Sequence, residues 1–290
     1  MDRGAPAQSL RFPARCTQRR WFREDSSAVM CPMSVQAIRH LMTLLSREPD
    51  QFIADSFYEV ILNAKVHVPM QGDGLSWVSG PGGQRALPVF LDRQALLDWG
   101  GPAADERLFS MPQAAAMAAH VKDAWLAVDF GSPLNQPIAR AGVEALANKS
   151  YPGAERYAEQ WALVNHLAAV LRQGGRLDQS LRQRAQQLRF YTLGEMRGAS
   201  NPPPGQIQVF ESQGLSILSV RGPNQQSYLP AWPSPGGSFE YQPLATNRLV
   251  VPLATIIQGA LSIERGLVLG LPSPFLNIPF QQLAALWGAG

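Results

Sequence analysis

Cysteine is nearly absent from the sequence. Of 290 residues only Cys16 and Cys31 are cysteines, and both lie close to the N-terminus. The body of the protein therefore has no disulfide framework, no zinc site built on cysteines and no cysteine nucleophile. This cysteine usage suits a reducing compartment, and we expect a cytoplasmic protein.

Long apolar runs are also missing. No stretch of about 18 uncharged apolar residues occurs, so the sequence predicts no transmembrane helix and no membrane partner. The N-terminal arginines are not followed by the apolar core of a signal peptide, because Trp21 and Phe22 are flanked by charge. We interpret residues 1–33 as a disordered extension or a mis-assigned start, with Met30 or Met33 as the natural first residue.

An excess of charge is absent from the rest of the chain. The net charge is +3, and the first 29 residues account for it with six arginines against three acidic residues. A nucleic-acid-binding domain normally carries a basic patch on its folded surface. The balanced remainder of this chain predicts no nucleic-acid partner.

Familiar catalytic and ligand-binding motifs are missing as well. The four histidines show no metal-ligand spacing, and no HExxH or GxSxG motif occurs. The glycine clusters at 80–83 and 236–237 do not fit a phosphate-binding loop. The sequence thus predicts no metal and no cofactor.

Alternating helix and strand patterns predict an α/β (α+β) fold. Helical spacing of apolar residues marks helices at 34–46 and from residue 50, and β-branched residues mark a strand at 65–70. Residues 71–85 indicate a hairpin with wide loops, and 86–91 a further strand. Asp92 is a predicted helix cap, Pro112 and Pro137 open two more helices, and 124–130 is a buried strand between them.

The second half of the chain repeats the first. Five anchors recur in the same order and at nearly constant spacing: 87–90 with 229–232, Pro112 with Pro252, 126–128 with 267–269, Ser132–Pro133 with Ser273–Pro274, and Pro137 with Pro279. Such internal repetition predicts two copies of one small mixed-sheet unit flanked by helices. We assign the first copy to 34–150, a helical connector to 151–187 and a diverged second copy to 188–290, and we expect the copies to pack with pseudo-twofold symmetry.

Candidate binding residues follow from what the repeat retains. The polar pairs kept in both halves are Ser132 with Ser273 and approximately Asn135 with Asn277. They are ordinary turn and cap residues, or they form a loop that presents helix N-terminal N–H groups to an anion or a partner's carboxylate. Asp129 is a further candidate because it ends a buried strand, although no basic residue lies beside it in the sequence.

With these anchors in place, the chain resembles the SseB-like family, named for enhanced serine sensitivity. The resemblance rests on residues 65–69, 87–92, 96–99 and 126–133, which read KVHVP, LPVFLD, LLDW and LAVDFGSP. It covers residues 50–148 well and 188–288 more weakly. A second unit of the N-terminal type stands where the family has a different C-terminal domain. The resemblance implies a bacterial cytoplasmic accessory or interaction module, in a process such as secretion or stress tolerance, and carries over no catalytic residue.

These observations favour a non-enzymatic protein that binds a protein or peptide partner. The alternative is a small-ligand-binding protein or an enzyme with a site in the first copy only. That alternative requires Asp129, His67 or His120 to converge with another polar group in one pocket. The oligomeric state is left open by the sequence.

Overall fold

A computed structural model describes residues 32–100, 105–196, 208–209, 215–221, 226–245, 248–270 and 276–288. The predictions for residues 1–31 and for Ser273 lie outside these ranges. No described helix is long and apolar enough to cross a membrane.

The first half contains five helices and seven strands within its described residues. Its helices are α1 (Pro32–Arg47), α2 (Gln51–Leu62), α3 (Arg93–Trp99), α4 (Met111–Ala119) and α5 (Arg140–Ala147). Its strands are β1 (Lys65–Gln71), β2 (Gly74–Leu75), β3 (Val78–Ser79), β4 (Arg85–Val89), β5 (Asp105–Ser110), β6 (Trp125–Val128) and β7 (Gln136–Ile138).

The second half follows with the same order of elements. Its helices are α6 (Ala158–Arg172), α7 (Gln179–Gln187), α8 (Gly236–Tyr241), α9 (Leu253–Ser262) and α10 (Phe280–Trp287). Its strands are β8 (Arg189–Met196), β9 (Gln208–Val209), β10 (Leu215–Ile217), β11 (Val220–Arg221), β12 (Ser227–Ala231), β13 (Arg248–Pro252), β14 (Gly266–Leu269) and β15 (Leu276–Ile278). The α/β class predicted from the sequence is confirmed.

Strand order is shared by the two halves. One sheet runs β3-β4-β6-β7 and its counterpart β11-β12-β14-β15, each with a central parallel pair and antiparallel outer strands. A second sheet runs β2-β1-β5, and its counterpart β10-β8-β13 has β9 added at its edge. In both halves one backbone bridge joins the two sheets, His67 with Phe90 and Tyr191 with Trp232.

Helix caps explain several boundaries. The Asp50 side chain accepts from the Phe52 N–H at the start of α2, and the Asp92 side chain accepts from the Ala95 N–H of α3. At α4, Ser110 and Gln113 form a reciprocal capping box, with Pro112 in the first turn. Each cap satisfies backbone donors that the helix itself leaves unpaired.

One predicted helix start was wrong, and one strand was not predicted. The helix expected to open at Pro137 begins at Arg140, because residues 136–138 form β7 on the edge of β6. Residues 105–110 form β5, where the residue pattern did not predict a strand. In the second half, β9 pairs with β13 and β10 pairs with β8.

The buried apolar residues form a main core in each half. The helices of residues 151–187, expected to be a connector, contribute Leu163, Leu167 and Leu181 to the second core. The first core contains Phe239, which comes from α8 of the second half. The two halves therefore share apolar packing rather than being joined only by the chain.

Pseudo-twofold packing was expected and is not what the structure has. Helix α8 packs against α1 and α2 of the first half. Its counterpart α3 packs on its own sheet at β1 and leaves Leu97 59% exposed. A twofold arrangement would bury both helices alike, whereas Phe239 of α8 is buried and Leu97 of α3 is exposed.

Candidate functional site

Asp129 lies where the central parallel strands β4 and β6 end. Its carboxylate is buried and accepts two hydrogen bonds, from the Leu91 N–H (2.9 Å) and from Arg39 Nε (3.1 Å). Its backbone N–H donates to the Val89 carbonyl, and its φ of 47° lies in the left-handed region. The side chain therefore fixes the end of the sheet to the first helix.

Arg39 joins two carboxylates. Its guanidinium contacts Asp129 through Nε and Asp92 through a terminal nitrogen at 2.9 Å. Asp92 also caps α3, so α1, α3 and the end of β6 meet at one cation. The basic companion that Asp129 lacks in the sequence comes from a helix 90 residues earlier.

Two hollows flank this cluster and share Arg39 and Asp92. The Asp129 cavity, of about 680 Å³, is lined by α3 and by the loop 129–134. The His67 cavity, of about 760 Å³, is lined by α1, by β1 and β5, and by residues 91–93. The described first half thus places its strand-end loop, its short helix α3 and its outer sheet around one charged centre.

The predicted site residues are only partly brought together. Asp129 and Ser132 line the Asp129 cavity. The Ser132 hydroxyl accepts from the Leu134 N–H at 3.2 Å, and its backbone N–H donates to the Asp129 carbonyl at 3.1 Å. Asn135 is exposed at the end of this turn. Its N–H donates to the Ser132 carbonyl, as in an ordinary turn.

The proposed pairing of Asn135 with Asn277 fails on strand register. Asn277 is exposed in β15 opposite Val268, whereas the residue opposite the corresponding Ala127 is Pro137. The Pro137 and Pro279 anchor is displaced in the same way, because Pro279 precedes a helix and Pro137 lies in a strand. Strand β7 also separates Ser132 from α5, so no helix N-terminus is presented by this loop.

The histidines named as possible catalytic bases lie apart. His67 lines its own cavity, and its buried Nδ1 has no hydrogen-bond partner among the described residues; Glu106 Oε1 is 3.8 Å away. His120 is exposed at the end of α4 and lines neither hollow. Burial and the charges of Arg248 and Arg47 lower the pKa of His40, another residue of the His67 cavity.

The most perturbed carboxyl group lies outside both hollows. Glu59, on α2, accepts from Ser234 Oγ (2.7 Å) and from the Gly236 N–H (2.9 Å) of the second half. Burial raises its pKa to about 7, against the opposing effect of these two hydrogen bonds. No group of three metal-ligating side chains is placed to hold an ion in the part of the chain that the structure describes.

Helices α3 and α8 correspond residue by residue. Phe90 packs on Trp99 with centroids 5.4 Å apart, and Trp232 packs on Tyr241 at 5.9 Å in nearly the same tilt. This correspondence places Leu97 at the position of Phe239. Phe239 is fully buried against the first half, whereas Leu97 is 59% exposed and does not line the Asp129 cavity.

Sequence reasoning missed two of these features. Arg39 carried no signal because its partners lie far away in the chain. Leu97 was counted with Leu96 as an apolar residue of the short helix, but only Leu96 is buried. A leucine pair inside a helix does not show which member faces the core until the packing is known.

Comparison with known proteins gives a family match for the first half alone. No curated protein and no solved structure matches the chain. The family described as SseB protein N-terminal domain matches residues 38–145, the segment that carries the Arg39–Asp129 pair, both hollows and α3. Residues 38–145, rather more than a third of the chain, are accordingly similar to SseB N-terminal domains.

Proposed function

We propose that the protein is a non-enzymatic binding module whose first half binds a helix of a partner protein on α3 and the adjoining rim of the Asp129 cavity. The observation that carries this proposal is the exposure of Leu97 at the position where the second half buries Phe239 against two helices. A face that one half uses for docking is left uncovered in the other.

The proposal includes the inference that the two halves descend from one unit. It is supported by the shared order of helices and strands, the matching bridges between sheets and the matching aromatic pairs. If the halves are copies, the contacts made by α8 indicate what the α3 surface is suited to bind.

The contacts of α8 indicate a helical partner. Phe239 lies against α1 and α2, with ring centroids 5.8 Å from Phe52 and 6.4 Å from His40. Residues at the start of α8 add hydrogen bonds to Glu59. An apolar anchor between two helices with polar contacts at the rim is a common form of helix docking.

The charge of α3 defines the partner further. Asp98 lies beside Leu97 and accepts from Gln94 Nε2 at 2.7 Å, which leaves its other carboxylate oxygen toward the surface. We expect a partner helix with a large apolar side chain for Leu97 and with a basic residue for Asp98.

A second copy of this chain suits the surface less well. The α1–α2 face that α8 binds is already covered within the molecule. The corresponding face of the second half lies on α7. There the exposed residue Gln183 takes the place of Glu59, and the other outward residues of the helix are polar. The proposal therefore commits to a different protein.

The hydrogen bonds of the site support a binding role. Both carboxylate oxygens of Asp129 accept hydrogen bonds, one from the Leu91 N–H and one from Arg39. Those of Asp92 are likewise engaged, one by the Ala95 N–H and the other by Arg39. Carboxylates engaged in this way position loops and helices, whereas a general acid or base needs a proton that it can exchange with substrate.

Site-specific photo-crosslinking in the native host tests the proposal. A photoreactive phenylalanine analogue replaces Leu97 in the full chain, and the same analogue at exposed Ile263 serves as the matched control. We expect a protein adduct from position 97 that is absent from position 263, with the crosslinked partner peptide lying in a helix.

The Leu97→Asp variant completes the test. It should abolish co-purification of that partner and leave the thermal stability unchanged, because the side chain is exposed. No adduct specific to position 97 would overturn the proposal. A small molecule bound in the Asp129 cavity and lost in Asp129→Asn would instead support the ligand-binding or enzymatic alternative.

A further inference from the structure

Strand β5 is the edge of its sheet and has one partner among the described residues. It pairs antiparallel with β1 from Asp105 to Ser110. Its counterpart β13 pairs with β8 in the same manner and additionally with β9, a two-residue strand that runs parallel to it. The second half thus covers an edge that the described first half leaves open.

The two edges correspond closely. Strand β9 pairs with Leu249 and Val250 of β13, and these residues correspond to Arg107 and Leu108 of β5. Val250 is 9% exposed, whereas Leu108 is 48% exposed. The difference is that expected between a strand in the interior of a sheet and one at its edge.

Backbone geometry shows which groups are available on β5. The backbone N–H and C=O of His67 are both hydrogen-bonded to the backbone of Phe90. His67 therefore forms no backbone hydrogen bonds with Leu108, the residue opposite it on β5. In an antiparallel ladder such a pair directs its N–H and C=O groups away from the partner strand. The Leu108 backbone therefore faces outward, while the neighbouring N–H groups of Glu106 and Ser110 are capped by side chains of Asp105 and Gln113.

We propose that an extended peptide segment of a partner adds to this edge at Leu108, parallel to β5, as β9 adds to β13. Strand addition supplies main-chain hydrogen bonds, and pockets for alternate side chains supply specificity. This surface is separate from the α3 face, and the inference does not depend on the helix-binding proposal.

The His67 cavity accounts for the side-chain preference. Leu108 and His67 are directly opposite on one face of the sheet, and both line this cavity. Val35 and Leu91 add apolar walls, and the guanidinium of Arg93 is already paired with Glu106 at 3.0 Å. The peptide therefore carries a large apolar side chain at the position that flanks Leu108.

The probe is a labelled synthetic peptide with the sequence of residues 205–212, which contains the segment that forms β9. Its binding to the full-length protein is measured by fluorescence anisotropy, and hydrogen exchange locates the bound segment. We expect slower exchange in residues 105–110. Protection of 248–252 instead, or no binding at about 1 mM peptide, would overturn the inference.

Two variants test the role of the Leu108 backbone. Leu108→Pro removes an outward N–H that the β1–β5 ladder does not use, so the fold should persist and the affinity should fall about tenfold or more. Leu108→Ala keeps the N–H and should weaken binding less than Leu108→Pro does. Equal losses in the two variants would contradict main-chain recognition.

Peptide chemistry provides a test that is independent of protein folding. Peptides N-methylated at alternate residues present or lack donors toward the edge, because hydrogen-bonded residues alternate along a strand. One methylated set should lose binding and the other should retain it. Equal effects of both sets would overturn strand addition. Self-association of the wild type that Leu108→Pro abolishes would overturn the assignment of this edge to a different partner protein, since the edge would then serve a second copy.

Discussion

At the scale of single residues, Asp129 combines burial, charge and an unusual backbone. Its carboxylate holds the Leu91 N–H and Arg39 at the end of the sheet, and its φ is 47°. The corresponding residue of the second half is Gly270, whose φ is 81° and whose N–H makes the same bond to the preceding parallel strand. The position therefore requires a left-handed backbone in both halves, and only the first half adds a side chain to it.

Substitution of Asp129 separates these contributions. Asp129→Ala leaves the buried Leu91 N–H without its acceptor and puts an alanine at a position with a left-handed backbone. It should therefore lower the free energy of unfolding by about 3 kcal/mol. Asp129→Gly loses the same hydrogen bonds without that strain and should cost about 1 kcal/mol less. Asp129→Asn tolerates the backbone and keeps an acceptor, so it should cost least of the three. Urea denaturation measures the series, and equal costs for alanine and glycine would show that the backbone does not retain its left-handed conformation.

At the scale of elements, the contact of α2 with α8 depends on Glu59, a partly buried acid. The Gly236 N–H lies so close to Glu59 that a Cβ added at residue 236 would meet the Glu59 side chain at 2.7 Å. The close approach explains the glycine there. It also removes Glu59 from water, which raises its pKa to about 7.

The contact should therefore weaken as pH rises. Because the pKa of Glu59 in the folded protein lies above its ordinary value, the folded state binds the extra proton between about pH 4.5 and 7. The free energy of unfolding should fall across that window by up to about 3 kcal/mol. Nearby Glu240 adds to the rise in pKa. Burial lowers the pKa of His40, so this residue reduces stability as pH falls below about 6.5 and acts in the opposite direction.

Comparison with Glu59→Gln isolates the effect. The variant keeps His40 and Glu240 but cannot titrate at residue 59. Its stability relative to wild type should increase from pH 5 to pH 8, as measured by urea midpoints at both values. A difference that does not change with pH would show that Glu59 has an ordinary pKa in the folded protein.

The individual elements also show how much of the fold and site could be predicted from the sequence. The helix start near residue 50, the cap at Asp92 and the buried strand at 125–128 were predicted because local chemistry determines them. Strand β5 was missed because its sequence, Asp-Glu-Arg-Leu-Phe-Ser, has the charge of an exposed edge and no apolar alternation. For the site, the strand-end position of Asp129 was informative, whereas Arg39 and exposed Leu97 depend on packing between distant segments.

At the scale of the whole molecule, the two halves are coupled through α8. Phe239 belongs to the core of the first half, and the Arg248 guanidinium covers its ring at 3.6 Å from the centroid. A second connection runs from Asp55, buried on α2, to Arg156 and to the Tyr157 hydroxyl. Unfolding of either half exposes this shared surface, so the described chain should unfold as one cooperative unit.

Alanine substitution at Phe239 and at Leu97 tests that coupling with a matched pair. Phe239→Ala removes a buried aromatic ring and should cost about 3–4 kcal/mol, while Leu97→Ala at the corresponding exposed position should change stability by less than about 0.5 kcal/mol. Because Phe239→Ala also loosens the contact between the halves, native-state hydrogen exchange should show α2 and α9 opening at different denaturant concentrations, whereas they open together in the wild type. A loss below about 1 kcal/mol with a single transition would mean that α8 does not hold the halves together, and it would remove the reason for regarding α3 as an uncovered docking face.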